Sequence, residues 1–275
     1  MIEILLILIL VTIVLSIQIS AGIQNDLYYN ATLIIHPHNA TLNNRTGQSG
    51  NLLGGTETPS VGDSSKQTGI SSLGFRGATR LNFGNANRSA TVNQSCFFWS
   101  NSSEGSGGTS YHIMGNADGG GDVGEIYLYF VDDLLKITYG IGGSSTTMQM
   151  TIKKPTTGKQ HWNMYGFIIN KTTAGNINAY LFQNLTHVGS ALGAPGGAST
   201  NDLAIGGALD LANNGLGAER GAGLDSVACW NKTLTFEEVS WYYNWTNGTN
   251  DFIPEIDNSG LIANTTPTII INFPL

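Results

Sequence analysis

Short runs of β-forming residues, separated by clusters of Gly, Asn and Ser, fill the sequence from residue 24 onward. Such punctuated runs predict β-strands, and helical periodicity is scarce across the same region. Strands spaced in this way, with Gly-rich connections, are typical of an antiparallel β-sandwich. The candidate strands are residues 28–35, 78–83, 95–99, 125–130, 134–139, 147–152, 162–170, 179–183, 203–205 and 223–230.

Two segments of this region depart from the strand pattern. Residues 41–70 are polar and rich in Gly and Ser, which predicts a long surface loop. Near the end, Thr235 precedes FEEV (236–239), with Glu238 three residues after the threonine. This spacing is a capping box and predicts one short helix.

The composition limits the classes of partner. Charged residues make up 11% of the chain and the net charge is −7, without a cluster of Lys and Arg. Binding to nucleic acid depends on such clusters, because they neutralise phosphates, so we exclude nucleic acid as a partner. The two cysteines, Cys96 and Cys229, can form one disulfide in an oxidising compartment or remain two buried thiols.

The N-terminal segment is almost purely apolar. Between residues 2 and 21 the only charged residue is Glu3, and about 20 residues of helix suffice to span a bilayer. Three interpretations stay open: a cleaved signal peptide, an uncleaved membrane anchor, and a helix that packs against its own copies. Small residues at 20–22 suit signal-peptide cleavage, whereas the absence of Lys and Arg before Arg45 argues against it.

The opening residues MIEILL (1–6) resemble the start of a mature type IV pilin, in which an early Glu precedes an apolar helix. In those filaments the helices bundle and the Glu pairs with a neighbouring N-terminus. The resemblance implies self-association through this helix, with Glu3 as an assembly residue. It favours retention of the segment over its removal.

A second resemblance covers residues 78–243. Five motifs occur in the order seen in LamG-like domains of the concanavalin A-like superfamily: LNFG (81–84), CFFW (96–99), WNMYGFII (162–169), LAIGG (203–207) and GLDSVACWNKTLTFEEV (223–239). The resemblance implies a mainly β fold, an antiparallel jelly-roll β-sandwich of the concanavalin A-like type, preceded by the hydrophobic N-terminal α-helix. It also implies neighbouring strands for Cys96 and Cys229, which would place them within reach of a cross-strand disulfide.

Chemistry-bearing residues are sparse. Polysaccharide-cleaving members of that superfamily carry carboxylates at i, i+2 and i+4 on one strand face, where an acid and a nucleophile flank the glycosidic bond. Here the best candidate strand offers Glu125 alone, and the adjacent Asp132 and Asp133 point to opposite faces. The five histidines are scattered. We therefore predict no catalytic residues and no enzymatic activity.

The segment NADGGGD (116–122) is the candidate metal site. Asp118 and Asp122, with Asn116, offer hard oxygen ligands in a Gly-rich loop, and calcium requires six to eight oxygens. The alternative is an ordinary turn of Asn, Asp and Gly. Calcium is the one cofactor that the sequence suggests.

Asn-x-Ser/Thr sequons are unusually dense. Twelve occur, and in an exported protein such sites accept N-glycans on the surface, which would offset the shortage of charge. They are Asn30, Asn39, Asn44, Asn87, Asn93, Asn101, Asn170, Asn184, Asn231, Asn244, Asn247 and Asn264.

The C-terminal tail contains PTIIINFP (267–274), which resembles the first strand of an Ig-like domain. A lone apolar strand must be covered, so we expect it to pair with its own sandwich or with a neighbouring subunit. The domain organisation is therefore a helix at 1–23, a LamG-like sandwich at 24–250, and a linker with a C-terminal strand at 251–275.

These features favour a non-catalytic extracellular glycoprotein, a structural or adhesive subunit of a cell-surface assembly such as a pilus-like filament or surface coat. Its expected contacts are with its own copies, through the helix and the tail strand, and with a membrane through residues 2–21. The alternative is an anchored or secreted carbohydrate-binding module with a glycan ligand, and a polysaccharide hydrolase is the least supported class. The structural class is preferred because of the low charge, the density of sequons and the tail strand without an assigned partner, and because the sequence reveals no sugar-binding platform that combines aromatic rings with carboxylates.

Overall fold

Two antiparallel β-sheets face each other and enclose the main hydrophobic core. The protein is represented by a computed structural model, which confirms the mainly β prediction. The residues that it describes are 5–12, 26–28, 30–35, 51–53, 60–62, 72–74, 80–82, 93–100, 110–116, 126–132, 134–140, 145–152, 162–173, 176–193, 204–206 and 223–247.

The first sheet has eight strands. In spatial order they are β13 (Thr186–Gly193), β12 (Ile177–Gln183), β11 (Asn163–Lys171), β6 (Gln94–Ser100), β15 (Gly223–Trp230), β4 (Ser72–Gly74) and β3 (Ser60–Gly62), with β1 (Ala31–Ile35) also paired to β15. The second sheet has seven strands. Their spatial order is β10 (Ser145–Thr151), β9 (Leu134–Gly140), β8 (Ile126–Val131), β7 (Ser110–Gly115), β14 (Ala204–Ile205), β5 (Arg80–Asn82) and β2 (Asn51–Leu53).

The observed strands correct the prediction in two respects. The segment 41–70, predicted as one long loop, contributes the short strands β2 and β3, one to each sheet. Strands β4, β7 and β13 were not predicted, because β4 has only three residues and because Gly, Ser and His weaken the β-forming pattern of the other two. All the longer runs that were predicted do form strands, with ends that differ by a few residues.

The central strands of the eight-stranded sheet are covered on both faces. Every residue of β6 is buried, and β11 is buried from Met164 to Ile169, which explains the runs CFFW (96–99) and MYGFII (164–169) in these strands. One face of this sheet contributes to the core between the sheets. The other face packs against helix α1 (Phe236–Thr246) and forms a second core around Trp99 and Trp230.

Helix α1 is fixed at both ends. The predicted capping box is confirmed, since the Glu238 backbone N–H donates to Thr235 Oγ1 and the Glu238 carboxylate accepts from the Thr235 N–H. At the far end Trp99 Nε1 donates to Thr246 Oγ1 over 2.7 Å. The buried Tyr242 hydroxyl donates to the carbonyl of Ser226, at an irregularity in β15.

In the seven-stranded sheet, buried residues alternate with more exposed ones along strands such as β8 and β10. Residues of β8 are alternately buried and half-buried, and in β10 Met148 and Met150 are buried while Thr147 and Gln149 are exposed. The buried members line the core between the sheets. The other set points away from that core, because successive side chains of a strand point to opposite faces.

The sulfur atoms of Cys96 and Cys229 are joined in a disulfide. The two residues lie directly opposite each other on the adjacent strands β6 and β15, with a Cα–Cα distance of 4.1 Å. Both side chains are buried in the core between the sheets, so the bond ties together two strands that are 133 residues apart in sequence.

Residues 5–12 are helical, and their apolar side chains are unburied, from 46% exposed at Leu10 to 62% at Leu5. None of the helical segments described has the length and hydrophobicity needed to traverse a bilayer. Glu3 and the tail strand at 267–274 lie outside the described residues.

Candidate functional site

The outer face of the seven-stranded sheet carries an unusual group of side chains. We define the aromatic face as seven residues on strands β7 to β10: His112, Tyr127, Tyr129, Lys136, Thr138, Thr147 and Gln149. Their sequence neighbours Ile113, Leu128, Ile137 and Met148 are in the core between the sheets, so the pleat directs these seven outward. Four adjacent strands about 4.8 Å apart give this face a width of about 14 Å.

Three aromatic rings form its centre. The His112 ring lies 5.4 Å from that of Tyr129 and 5.6 Å from that of Tyr127, and the two tyrosine rings are 5.3 Å apart. The planes of His112 and Tyr129 differ by 21° and those of the two tyrosines by 28°, so both pairs are stacked, whereas His112 and Tyr127 are tilted by 36°. Strand register causes this arrangement, since His112 is the direct partner of Tyr129 across β7 and β8.

A line of hydroxyl groups continues from the rings across two further strands. The Tyr129 hydroxyl lies 3.3 Å from Thr138 Oγ1, which is 2.8 Å from Thr147 Oγ1. Lys136 occupies the next outward position of β9, directly between Tyr129 and Gln149. The face therefore combines aromatic surface with hydroxyl, amide and ammonium groups.

Thr138 and His112 are the two buried members of the group, with 1% and 9% of their surfaces exposed. The Nδ1 atom of His112 is enclosed and has no hydrogen-bond partner among the described residues. Burial among the tyrosine rings disfavours the charged imidazolium and lowers the pKa of His112 to about 4. The imidazole is therefore neutral at physiological pH.

Carboxylates are missing from the aromatic face as far as the described residues define it. The nearest described carboxylate in sequence is that of Asp132, which lies in the turn between β8 and β9 with a φ of 50°. Glycoside hydrolysis requires two carboxyl groups that flank the scissile bond, and the described residues of this face supply none. The arrangement can stack against a ligand and hydrogen-bond to it.

A second aromatic cluster lies on the opposite side of the molecule, at the outer face of the eight-stranded sheet. His187 of β13 is 4.4 Å from Phe236 and 5.2 Å from Phe182, measured between ring centroids. Its members mainly fasten the start of α1 to the sheet, although Phe236 is 50% exposed. The cluster has no hydroxyl line comparable to that of Tyr129, Thr138 and Thr147 among its described members.

None of the site residues predicted from sequence belongs to the aromatic face. Asp118 and Asp122, the calcium candidates, lie outside the described residues, as do Glu125, Asp133 and Glu3. Within the described residues there is no cluster of three metal-ligating side chains.

Seven of the twelve sequons lie within the described residues. Asn30, Asn93, Asn231, Asn244 and Asn247 are exposed, whereas Asn170 and Asn184 are half-buried. The Asn184 amide donates to Asn163 Oδ1 over 2.9 Å, so its nitrogen is already in use. The remaining five, outside the described residues, are Asn39, Asn44, Asn87, Asn101 and Asn264.

Sequence reasoning did not find the aromatic face. The alternation of Tyr127 and Tyr129 with apolar residues was a usable signal, since it places both rings on one side of a strand. His112 belongs to a strand that was not predicted, and its position opposite Tyr129 depends on register. Pairing between distant strands is not encoded in any local pattern.

Comparisons with known proteins show likeness at the level of the fold. No protein-family model matches the sequence, and no protein with a curated description does. The botulinum neurotoxin type G receptor-binding domain superposes with a TM-score of 0.55 at 11% identity, over 78% of this chain and 51% of that one. The binding domain of Paraclostridial mosquitocidal protein 1 gives a TM-score of 0.58 at 12% identity, over 79% and 52%.

The binding domain of botulinum neurotoxin DC, solved in complex with rat synaptotagmin II, gives a TM-score of 0.53 at 13% identity, over 80% and 52%. This chain therefore spans about half the length of the structures that it resembles. Identities this low establish a shared β-rich fold and nothing about the ligand.

Proposed function

We propose that this protein is a non-catalytic extracellular binding module whose aromatic face recognises carbohydrate. The observation that carries the proposal is a cluster of three packed aromatic rings, next to a line of hydroxyl groups, on the outer face of the seven-stranded sheet. This proposal reverses the preference drawn from sequence for a structural subunit, which rested on the low charge, the sequons, the tail strand and the absence of a recognisable platform of aromatic rings and carboxylates.

Sugars present two kinds of surface, apolar C–H groups and a rim of hydroxyls. A tyrosine ring serves both, because its face is apolar and its O–H is a hydrogen-bonding group. Tyr127 and Tyr129 are half-buried, so each ring is held in place while part of it stays accessible. Thr147 and Gln149 are exposed beside them and offer further donors and acceptors.

The face is also preorganised. Mutual stacking fixes the three rings, and the contact with Thr138 holds the Tyr129 hydroxyl. Groups that are already ordered lose little conformational entropy when a ligand binds. A flat face of this width suits a chain of several sugar units better than a small molecule, which requires an enclosing pocket.

Two further observations support an extracellular binding role. The structural neighbours named above are binding domains, of which one is a receptor-binding domain and another was solved with a protein partner. The disulfide between Cys96 and Cys229 is of the kind that persists in oxidising compartments. We extend the receptor-binding character to this chain as part of the proposal.

Replacing both tyrosines by alanine tests the proposal. We expect Tyr127→Ala/Tyr129→Ala to weaken glycan binding roughly 10- to 100-fold, because each lost aromatic contact contributes about 0.5–1.5 kcal/mol. A glycan array selects the ligand, and titration calorimetry with that ligand compares the variants.

Phe236→Ala is the matched control, since it removes an exposed ring from the opposite side of the molecule and should leave affinity unchanged. Tyr127→Phe/Tyr129→Phe keeps the rings and should retain most of the binding. Unfolding curves verify that each variant is folded. Absence of glycan binding by the natural sequence, or equal affinity of the double alanine variant, would contradict the proposal.

A structural subunit is the second candidate, and one observation favours it. The apolar side chains of residues 5–12 are exposed, and a helix of this kind is stable in water only when lipid or other helices cover it. In this alternative the helix and the strand at 267–274 mediate self-association into a pilus-like filament or surface coat. Ordered polymers of the full chain in electron micrographs, lost on removal of residues 1–21, would support it.

Several finer assignments are part of the same proposal. The likeness to LamG-like domains over residues 78–243 suggests the concanavalin A-like jelly-roll connection of the two sheets. Calcium at Asp118 and Asp122 remains a prediction. We also propose that the sequons carry glycans, with exposed Asn244 favoured over Asn184, whose amide is already hydrogen-bonded. Intact mass of the natural protein would report both glycans and retention of residues 1–21.

A further inference from the structure

We propose that the ligand of the aromatic face is an acidic glycan, one bearing carboxylate or sulfate groups, and that Lys136 pairs with its anion. This inference rests on the proposed function and deepens it, since it names the chemical class of carbohydrate. It arises from the position of Lys136 and from the charges around it.

Lys136 lies on the face beside the aromatic rings. Its neighbours in β9, Leu135 and Ile137, are fully buried between the sheets, so the lysine points outward. In the cross-strand register it lies directly between Tyr129 on β8 and Gln149 on β10. A sugar stacked on Tyr129 would therefore have the ammonium group at its edge.

The charge of Lys136 is not neutralised by any described residue. It forms no ion pair within the described part of the chain, where Lys232 provides the contrast. Lys232 Nζ lies 2.6 Å from Glu238 Oε1 and 3.2 Å from Asp26 Oδ2, so its charge is neutralised by ion pairs within the protein. A lysine left unpaired amid tyrosine, threonine and glutamine remains available to an external anion.

The rest of the face does not compete for that anion or repel it. His112 is neutral because its pKa is lowered to about 4, and the face has no carboxylate among its described residues. The chain as a whole carries a net charge of −7, so an acidic ligand needs a local cation in order to bind. On this face Lys136 is the one described group that supplies it.

Paired oligosaccharides that differ only in charge provide the test. Oligogalacturonate is compared with its carboxyl-reduced counterpart, and dextran sulfate with dextran, by calorimetry at 50 mM and 500 mM NaCl. We expect the charged member of at least one pair to bind about 5- to 20-fold more tightly at low salt, with the difference shrinking at high salt. The preferred pair identifies carboxylate or sulfate as the anion.

Substitutions assign the effect to one side chain. We expect Lys136→Gln to abolish the preference for the charged ligand, and Lys136→Arg to keep most of it. Lys171→Gln, at an exposed position on the other sheet, is the matched control and should change nothing.

The two proposals fail in different ways. Equal binding of charged and neutral oligosaccharides, or an unchanged preference in Lys136→Gln, overturns the acidic ligand while leaving glycan recognition intact, provided that Tyr127→Ala/Tyr129→Ala still weakens binding. Failure of every oligosaccharide and array glycan to bind overturns both.

Discussion

Reduction of the disulfide between Cys96 and Cys229 will lower the free energy of unfolding by about 2–5 kcal/mol. The bond closes a loop of 133 residues, and the chain-entropy model gives about 5 kcal/mol for a loop of that length. Domains are typically stable by about 5–15 kcal/mol, so the loss is a large fraction of the total. The lower end of the range applies if the reduced, unfolded chain keeps residual structure.

Urea unfolding of the same protein with and without reductant measures this effect without changing any packed atom except the bond itself. Both sulfurs are buried in the core between the sheets, so reductant has to act on the unfolded or opened protein. A Cys96→Ala/Cys229→Ala variant is the control, and its unfolding should not respond to reductant. Coincident curves for oxidised and reduced natural protein would show that the bond contributes nothing.

The disulfide also illustrates how far sequence reasoning reaches. The presence of two cysteines is equally compatible with one disulfide and with two free thiols. Only the resemblance to LamG-like domains suggested that their strands are neighbours. The structure places them opposite each other in the central strands of the eight-stranded sheet. That neighbourhood joins two distant segments, so no local pattern could have established it.

Local signals, in contrast, were sufficient for helix α1. Thr235 and Glu238 satisfy each other's backbone groups within a single turn, and such a short-range arrangement is visible in four consecutive residues. The hydrophobic patterns of the strands also indicated which of their faces are buried. The continuous apolar run of β6 indicates burial on both faces, and the alternation in β8 indicates one open face.

The aromatic face escaped detection because it is assembled from four strands. Each contributes one or two outward residues that are unremarkable alone, such as His112 in β7 and Thr147 in β10. Register brings Tyr129 beside His112 and Thr138 beside Thr147. Edge strand β13 was missed for another reason, since its exposed Gly, Ser and Ala lack the β-branched pattern of a covered strand.

Acidification will destabilise the protein through His112. The pKa of this imidazole is lowered to about 4 by burial, whereas the unfolded chain has the ordinary value of about 6.5. Above pH 6.5 neither state binds the proton and this group adds no pH dependence. Between pH 6.5 and 4 the unfolded chain binds it and the folded protein does not, so stability falls as the pH falls.

The difference of about 2.5 pH units corresponds to a loss of about 3 kcal/mol, complete below pH 4. The surroundings offer the imidazolium no compensation. The rings against His112 belong to Tyr127 and Tyr129, and the described residues of the aromatic face include no carboxylate. Protonation therefore introduces an unpaired charge into the ring stack.

Unfolding measured from pH 7 to pH 4 for the natural sequence and for His112→Gln separates this effect from the titration of carboxylates, which both proteins share. We expect the natural protein to lose about 3 kcal/mol more than the variant, and the His112 imidazole resonances to titrate near pH 4. A His112 titration near pH 6.5 would contradict the buried, neutral imidazole. It would mean that the stack opens readily, and the preorganised platform proposed for carbohydrate would then lose its physical basis.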